Sequence, residues 1–292
     1  MWFDTHCHLD AAEFEADRDA VIARAVAAGV GEILVPAVGA SNFDAVYNFQ
    51  KNRRNAAGPP QGVAAPSGGA SEASRGPSTS SAAPRFLHAF GVHPMYTPQA
   101  AEGDLALLRR RIEEQRPAAV GEIGLDGFVP GLDMARQEFF FSEQLRLAAE
   151  FDLPVVLHLR RAQDLVLKHL RRFRSHFAAR GAGRAGIAHA FNGSRQQADQ
   201  FIELGFCLGF GGAMTYDGST RIRTLATELP LEAIVLETDA PDIPPAWLGG
   251  RRNEPAELPR IGGVLADLRG LASGVVAEVT TQNARRIFAP TS

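Results

Sequence analysis

The chain reads as a single α/β domain folded as an eight-stranded (β/α)8 TIM barrel, and three observations predict this. Eight apolar, strand-like runs alternate with helical stretches over about 260 residues once one low-complexity segment is set aside, the usual size of a closed parallel barrel. The run from Glu32 to Val38 lacks the polar–apolar alternation of a half-exposed sheet, so its strand is expected to be buried in a parallel sheet. Most of them end in His, Glu or Asp, which a barrel would gather at one mouth. A doubly wound open sheet is the competing arrangement, but no Gly-x-Gly-x-x-Gly turn follows the first run.

The first run, Trp2 to His8, starts apolar and ends in His-x-His. Side chains alternate along a strand, so His6 and His8 are expected on one side and Cys7 on the other. Asp17 to Gly29 has helical spacing and a glycine stop. Glu32 to Val38 is a β-branched buried strand, and Ser41 is placed to cap a helix reaching about Lys51. Between Ala56 and Pro84, 24 of 29 residues are Ala, Gly, Pro or Ser, and only Val63 is a large aliphatic. Such a segment cannot bury enough surface to offset its ordering entropy, so a disordered insertion is expected at 56–84 within a domain spanning 1–292. It follows a helix and precedes a strand, which places it on the barrel face opposite an active site.

Arg85 to His93 is the third strand, with a helix near Gln99 to Arg116 behind it. Ala118 to Asp126 and Pro154 to Leu159 are the fourth and fifth, separated by a helix from Asp133 to Glu150. Arg184 to Phe191, Phe206 to Met214 and Ala233 to Asp239 complete the set, and a last helix covers Gly274 to Phe288.

Composition narrows the function. A formal net charge of −3 excludes a generic polyanion binder, so any hold on nucleic acid must come from a local patch or bound metal. Cys7 and Cys207 both lie in apolar runs, which argues against a disulfide framework. No run approaches the roughly 20 apolar residues of a membrane span, and the first residues do not resemble a signal peptide, so a cytoplasmic location is expected.

Five of the eight histidines stand at ends of strand-like runs: His6, His8, His93, His158 and His189. Glu122 and Asp239 share this placement. Each has an ordinary explanation alone, an exposed N-terminal pair for His6 and His8 or a turn residue before Pro241 for Asp239. Glu122 lies among apolar residues, where an unpaired charge is costly and a cation or base is required beside it. Converging on one barrel mouth, the set predicts a shared metal site. Four of these imidazoles with the two carboxylates already exceed what one catalytic ion takes, so two divalent ions are expected, and Mg, Mn and Zn all suit mixed N/O donors. Arg160 offers a planar donor pair suited to phosphate, or is a solvated arginine opening a helix. Arg252 and Asn253 are placed in a loop over the mouth, with a surface role equally open. Cys7 reads as a packed thiol. Gly209, Gly211 and Gly212 either keep the barrel narrow or let substrate approach the backbone.

The residues also carry a resemblance. DTHCHLD at the start, GVHP at Gly91 to Pro94, GEIGLD at Gly121 to Asp126, VVLHLR at Val155 to Arg160, HAFNGS at His189 to Ser194, ETDAP at Glu237 to Pro241 and RRNEP at Arg251 to Pro255 resemble the TatD family of metal-dependent hydrolases. The resemblance spans nearly the whole chain outside Ala56 to Pro84. It implies an amidohydrolase-type barrel with two divalent ions. His6, His8, Glu122 and Asp239 would hold one, and Glu122, His158 and His189 the other, with Glu122 as bridge. His93 would face the substrate and, with Arg160, contact a phosphate. It further implies a deoxyribonuclease acting 3′ to 5′ on DNA, either single-stranded or at 3′ ends. Metal chemistry read from the residues gives Glu122 and Asp239 as the catalytic carboxylates, with Asp239 a ligand and general base toward a metal-activated water. Two departures stand out: the insertion, and a stretch after Asp126 (Gly127 to Gly131) that lacks the tyrosine-containing continuation frequent in the family.

Three other functions compete. The same two-metal chemistry would serve an ester, lactone or aminoacyl-tRNA bond. A non-catalytic metal-binding interaction protein could use the insertion as a handle, though it would have no need of six ligands. A hydride-transferring enzyme lacks its dinucleotide fingerprint.

Overall fold

In the computed structural model, residues 1–56 and 83–289 are described, with side chains omitted for 53–56. The segment expected to be a disordered insertion lies outside the described residues apart from its two ends. Strands β1 (Trp2–Asp4), β2 (Val30–Pro36), β3 (Arg85–Phe90) and β4 (Ala119–Asp126) alternate with helices α1 (Arg18–Ala27), α2 (Phe43–Ala56) and α3 (Gly103–Gln115). The pattern continues through α4 (Met134–Glu150), β5 (Val155–Arg160), α5 (Gln163–Leu170), α6 (Arg174–Arg180), β6 (Gly186–Ala188), α7 (Arg195–Glu203) and β7 (Phe206–Phe210). It ends with α8 (Thr220–Glu228), β8 (Ile234–Leu236), α9 (Leu258–Arg269) and α10 (Ser273–Phe288).

The eight strands lie in chain order, and every neighbouring pair is parallel. That order excludes the doubly wound sheet. No regular ladder joins β8 to β1, yet the seam is bridged by backbone bonds from Thr5 N to Leu236 O (3.1 Å), Asp239 N to His6 O (2.8 Å) and His8 N to Ala240 O (2.8 Å). Alternate residues fill the two sides of each strand. Phe3, Leu34, Leu87, Val156, Ile187, Cys207 and Val235 form the barrel interior, whereas Ile33, Val35, Val155 and Leu157 belong to the layer under the helices. The last helix packs on the interior cluster through Ala284, Ile287 and Phe288, with the Phe3 and Phe288 rings 5.7 Å apart.

The strands are shorter than the sequence predicts. His6, His8, His93, His189 and Asp239 lie beyond strand ends, because the apolar runs continue as extended connections over the rim. The expected alternation survives there. Thr5 N bonds toward β8 and Cys7 N toward Leu34 O of β2, so His6 and His8 still share a side while the buried Cys7 thiol turns to Ala240 O. Ser41 is not the cap of α2. Asn42 Oδ1 instead accepts from Val38 N and Gly39 N, and the helix runs to Ala56, past Lys51.

Candidate metal centre

The register of β4 against β5 shifts between Val120 and Ile123, an irregularity that re-aims side chains at this point. Glu122 sits there, 2% exposed, with its two oxygens facing different partners. Oε2 lies 3.1 Å from His6 Nε2 and 3.7 Å from His8 Nε2. Oε1 lies 3.1 Å from His158 Nδ1 and 3.3 Å from His93 Nε2. Gly124 lets β4 and β5 approach, since a Cβ there would stand 1.9 Å from His158 O.

Asp239 closes the other side. Its Oδ1 is 3.6 Å from His6 Nε2, 3.7 Å from His8 Nε2 and 3.5 Å from His189 Nε2. The residue adopts φ +58°, a left-handed conformation held by Asp239 N to His6 O and Asp242 N to Asp239 O. His189 stacks on His6 with ring centroids 3.7 Å apart.

The set therefore forms two lobes joined by one carboxylate. His6 and His8 face Glu122 Oε2 with Asp239 and His189 beside them, and His93 and His158 face Oε1. All six expected ligands come together, with His93 beside His158 and His189 beside both His6 and Asp239.

These atoms suit divalent cations. The Nε2 atoms of His6 and His8 face each other at 3.2 Å, and His93 Nε2 faces His158 Nδ1 at 3.0 Å. Imidazole lone pairs turned toward one another, with carboxylate oxygens closing the ring, are donors waiting for a shared acceptor. Three triads, His6/His8/Glu122, His6/His189/Asp239 and His93/Glu122/His158, each keep their donor atoms within 4.8 Å. Burial, then His189, holds His6 well below the usual imidazole range, so it offers a neutral lone pair.

Behind the donors stands a second set of carboxylates that sequence reasoning did not single out. Asp126 Oδ2 lies 2.9 Å from His158 Nε2, and its Oδ1 accepts from Phe128 N (2.7 Å) and Val129 N (2.9 Å). Burial opposes ionisation of Asp126, but His158 and these amides outweigh it and lower its pKa. His158 is raised: burial pulls it down, and Asp126 and Glu122 more than compensate. Glu237 Oε1 is 3.0 Å from His189 Nδ1 and accepts from Ala190 N at 2.6 Å. Burial lowers His189, yet Glu237 and Asp239 together raise it to about 10. Gly209 is explained here, because a Cβ would stand 2.3 Å from Glu237 Oε2. Asp4 accepts from Thr238 N (2.9 Å) and from the Thr238 hydroxyl (2.6 Å), fixing the backbone next to Asp239.

Arg160 is exposed at the rim, with its guanidinium carbon 3.7 Å from the Phe128 ring centroid. Arg252 and Asn253 serve the scaffold. Arg252 pairs with Asp17 and rests over Phe14, while buried Asn253 donates to Thr238 O, Asp242 O and Ile243 O, pinning the turn after Asp239.

The TatD related DNase family model matches residues 3–289. The chain belongs to the TatD family of metal-dependent hydrolases. This TatD protein is 36% identical over 290 residues to the uncharacterized metal-dependent hydrolase YjjV of Escherichia coli K12, covering 98% of this chain and 97% of that one. The crystal structure of that TatD homologue superposes with a TM-score of 0.83 at 34% identity, covering 99% and 98% of the two chains. A 3′-5′ ssDNA/RNA exonuclease TatD from Erwinia tasmaniensis is 30% identical over 292 residues, 98% of this chain and 99% of the other.

The donor geometry of this TatD protein sets a pH dependence for metal uptake. Burial raises Asp239 to about 6 in the metal-free protein, so a cation must displace its proton below that pH. His189, raised to about 10, must lose a proton as well, so titration calorimetry of chelator-treated protein with Mn²⁺ should show affinity falling as pH drops from about 9, with the slope steepening by about a further tenfold per unit below about pH 6. A slope that does not steepen between about pH 6 and pH 5 would remove Asp239 from the ligand set.

Proposed function

We propose that this TatD protein is a divalent-metal phosphodiesterase that degrades DNA from single-stranded 3′ ends. The observation that carries the reading is the placement of Glu122, whose two oxygens each face a separate pair of imidazoles. Such a bridge suits a two-ion centre, with His6, His8, His189 and Asp239 holding one ion and His93 and His158 the other. Bound there, two cations would supply an acidified water and neutralise charge on both oxygens of an in-line displacement.

The chain's own groups do the rest. Asp239 Oδ1 faces the interior of the cluster and, raised to about 6 by burial, is suited to accept a proton from the attacking water near neutral pH. Asp126 and Glu237 fix which nitrogen of His158 and His189 points inward. Arg160, on the same strand two residues beyond His158, would hold a phosphate oxygen outside the donor cluster.

The test is hydrolysis of a 5′-labelled single-stranded oligonucleotide by chelator-treated protein supplied with Mg²⁺, Mn²⁺ or Zn²⁺. Stepwise shortening from the 3′ end that requires added metal supports the proposal. Appearance of internal-length fragments without stepwise 3′ trimming, or release of the label from the 5′ end, would overturn the direction. No cleavage with any metal, while bound metal persists by elemental analysis, would redirect the site to ester, lactone or aminoacyl-tRNA substrates.

A further inference from the structure

The connection after β4 carries an aromatic side chain that the donor cluster does not use. Phe128 is 41% exposed, in a protein that buries most of its phenylalanines. Two arginines rest on it: the Arg160 guanidinium carbon lies 3.7 Å and that of Arg161 4.6 Å from the ring centroid. Neither guanidinium has a carboxylate or hydrogen-bond partner among the described residues. A guanidinium lying on a ring keeps its in-plane N–H donors free, so these cations remain available to a ligand.

The patch is fastened to the site. One Asp126 oxygen holds Phe128 N and Val129 N while the other holds His158 Nε2, and Gly127 N donates to Arg160 O at 2.7 Å. A single carboxylate thus sets both a donor imidazole and the loop presenting the ring. Other large exposed side chains stand on neighbouring rim connections: Met95 and Tyr96 after β3, at 41% and 43% exposure, and Tyr216 after β7, at 41%.

We propose that Phe128, with Arg160 and Arg161, forms a stacking platform for an unpaired nucleobase next to the phosphate held at the donor cluster. The proposal rests on the nuclease reading above and deepens it. Cations alone would satisfy a bare phosphate and give no reason for an exposed ring. A flat aromatic and guanidinium surface fits the face of a base, and only an unpaired base offers that face, since pairing and stacking in a duplex hide it. The platform therefore selects single strands and frayed ends, and it does so without reading sequence.

The decisive experiment compares two phosphorothioate-linked strands of equal length and charge, decathymidine and its abasic counterpart, binding to Mn²⁺-loaded protein by fluorescence anisotropy. The wild type should bind decathymidine about tenfold or more tightly than the abasic strand. Phe128→Ala should abolish that preference and leave abasic affinity within about twofold, Phe128→Trp should restore it, and Arg160→Ala should weaken both strands together. Equal wild-type affinity for the two strands, no binding of either, or a preference surviving in Phe128→Ala would overturn the platform. Cleavage of ordinary phosphodiester versions of both strands is read alongside. A base preference in binding with no cleavage leaves the platform standing and removes the nuclease reading, and equal binding with active cleavage does the reverse.

Discussion

Glu122→Gln is expected to lose at least about a thousandfold in kcat/KM on any substrate and to drop metal content from both lobes together. The reason is geometric. One oxygen of Glu122 faces His6 and His8, and the other faces His93 and His158. A neutral amide presents one acceptor and one donor, so one lobe would face N–H where it needs a lone pair. The carboxylate is almost fully buried, and its pKa is lowered well below the usual range, with burial opposed by His93, His6 and His158. Elemental analysis and thermal unfolding should be read with the kinetics. A folded variant that keeps full metal occupancy and half its activity would show that the bridge does not exist.

Asp126→Ala is expected to reduce activity and metal affinity about 10- to 100-fold, although Asp126 is not itself among the donors and acts through His158. Without it, His158 is free to rotate or change tautomer, and the amides of Phe128 and Val129 lose their acceptor. Two consequences can be separated. Asp126→Asn retains a side-chain oxygen, so it should recover loop order through the amides, while an amide group can no longer favour the same protonation of His158. The pH profile of kcat should therefore shift in Asp126→Asn even where oligonucleotide KM is restored. An unchanged profile in both variants would reduce Asp126 to a loop anchor.

The sequence made the barrel and the donor set legible for one reason: strands ending in His, Glu or Asp place chemistry where a parallel barrel converges. It was less informative about where strands stop. The runs from Arg85 to His93 and from Arg184 to Phe191 stay apolar past the last ladder bond, because the rim connections are themselves buried, and burial sets composition more strongly than pairing does. Spacing alone does not say which neighbours His93 and His189 meet, since that depends on how connections fold over the rim. Asp126 and Glu237 were within reach. Each is a carboxylate in a buried run beside a ligand, and the argument that Glu122 needs a partner applied to them equally. Arg252 and Asn253 were placed over the mouth on loop position alone, which says nothing about Asp17 and the Thr238 carbonyl waiting for them.

The β8–β1 seam carries a consequence for how the protein unfolds. Two of its three bridging bonds come from the backbone of His6, His8, Asp239 and Ala240, so donor residues also join the first strand to the last. A cation gripped by His6 and Asp239 would act as a cross-link between segments more than 230 positions apart. Closing so long a loop costs the unfolded chain considerable entropy, and a tie present only in the closed barrel withholds escape from it. Metal loading should then slow unfolding far more than it speeds folding, and a chain lacking its last strands would have neither a seam nor a place to retain the ion.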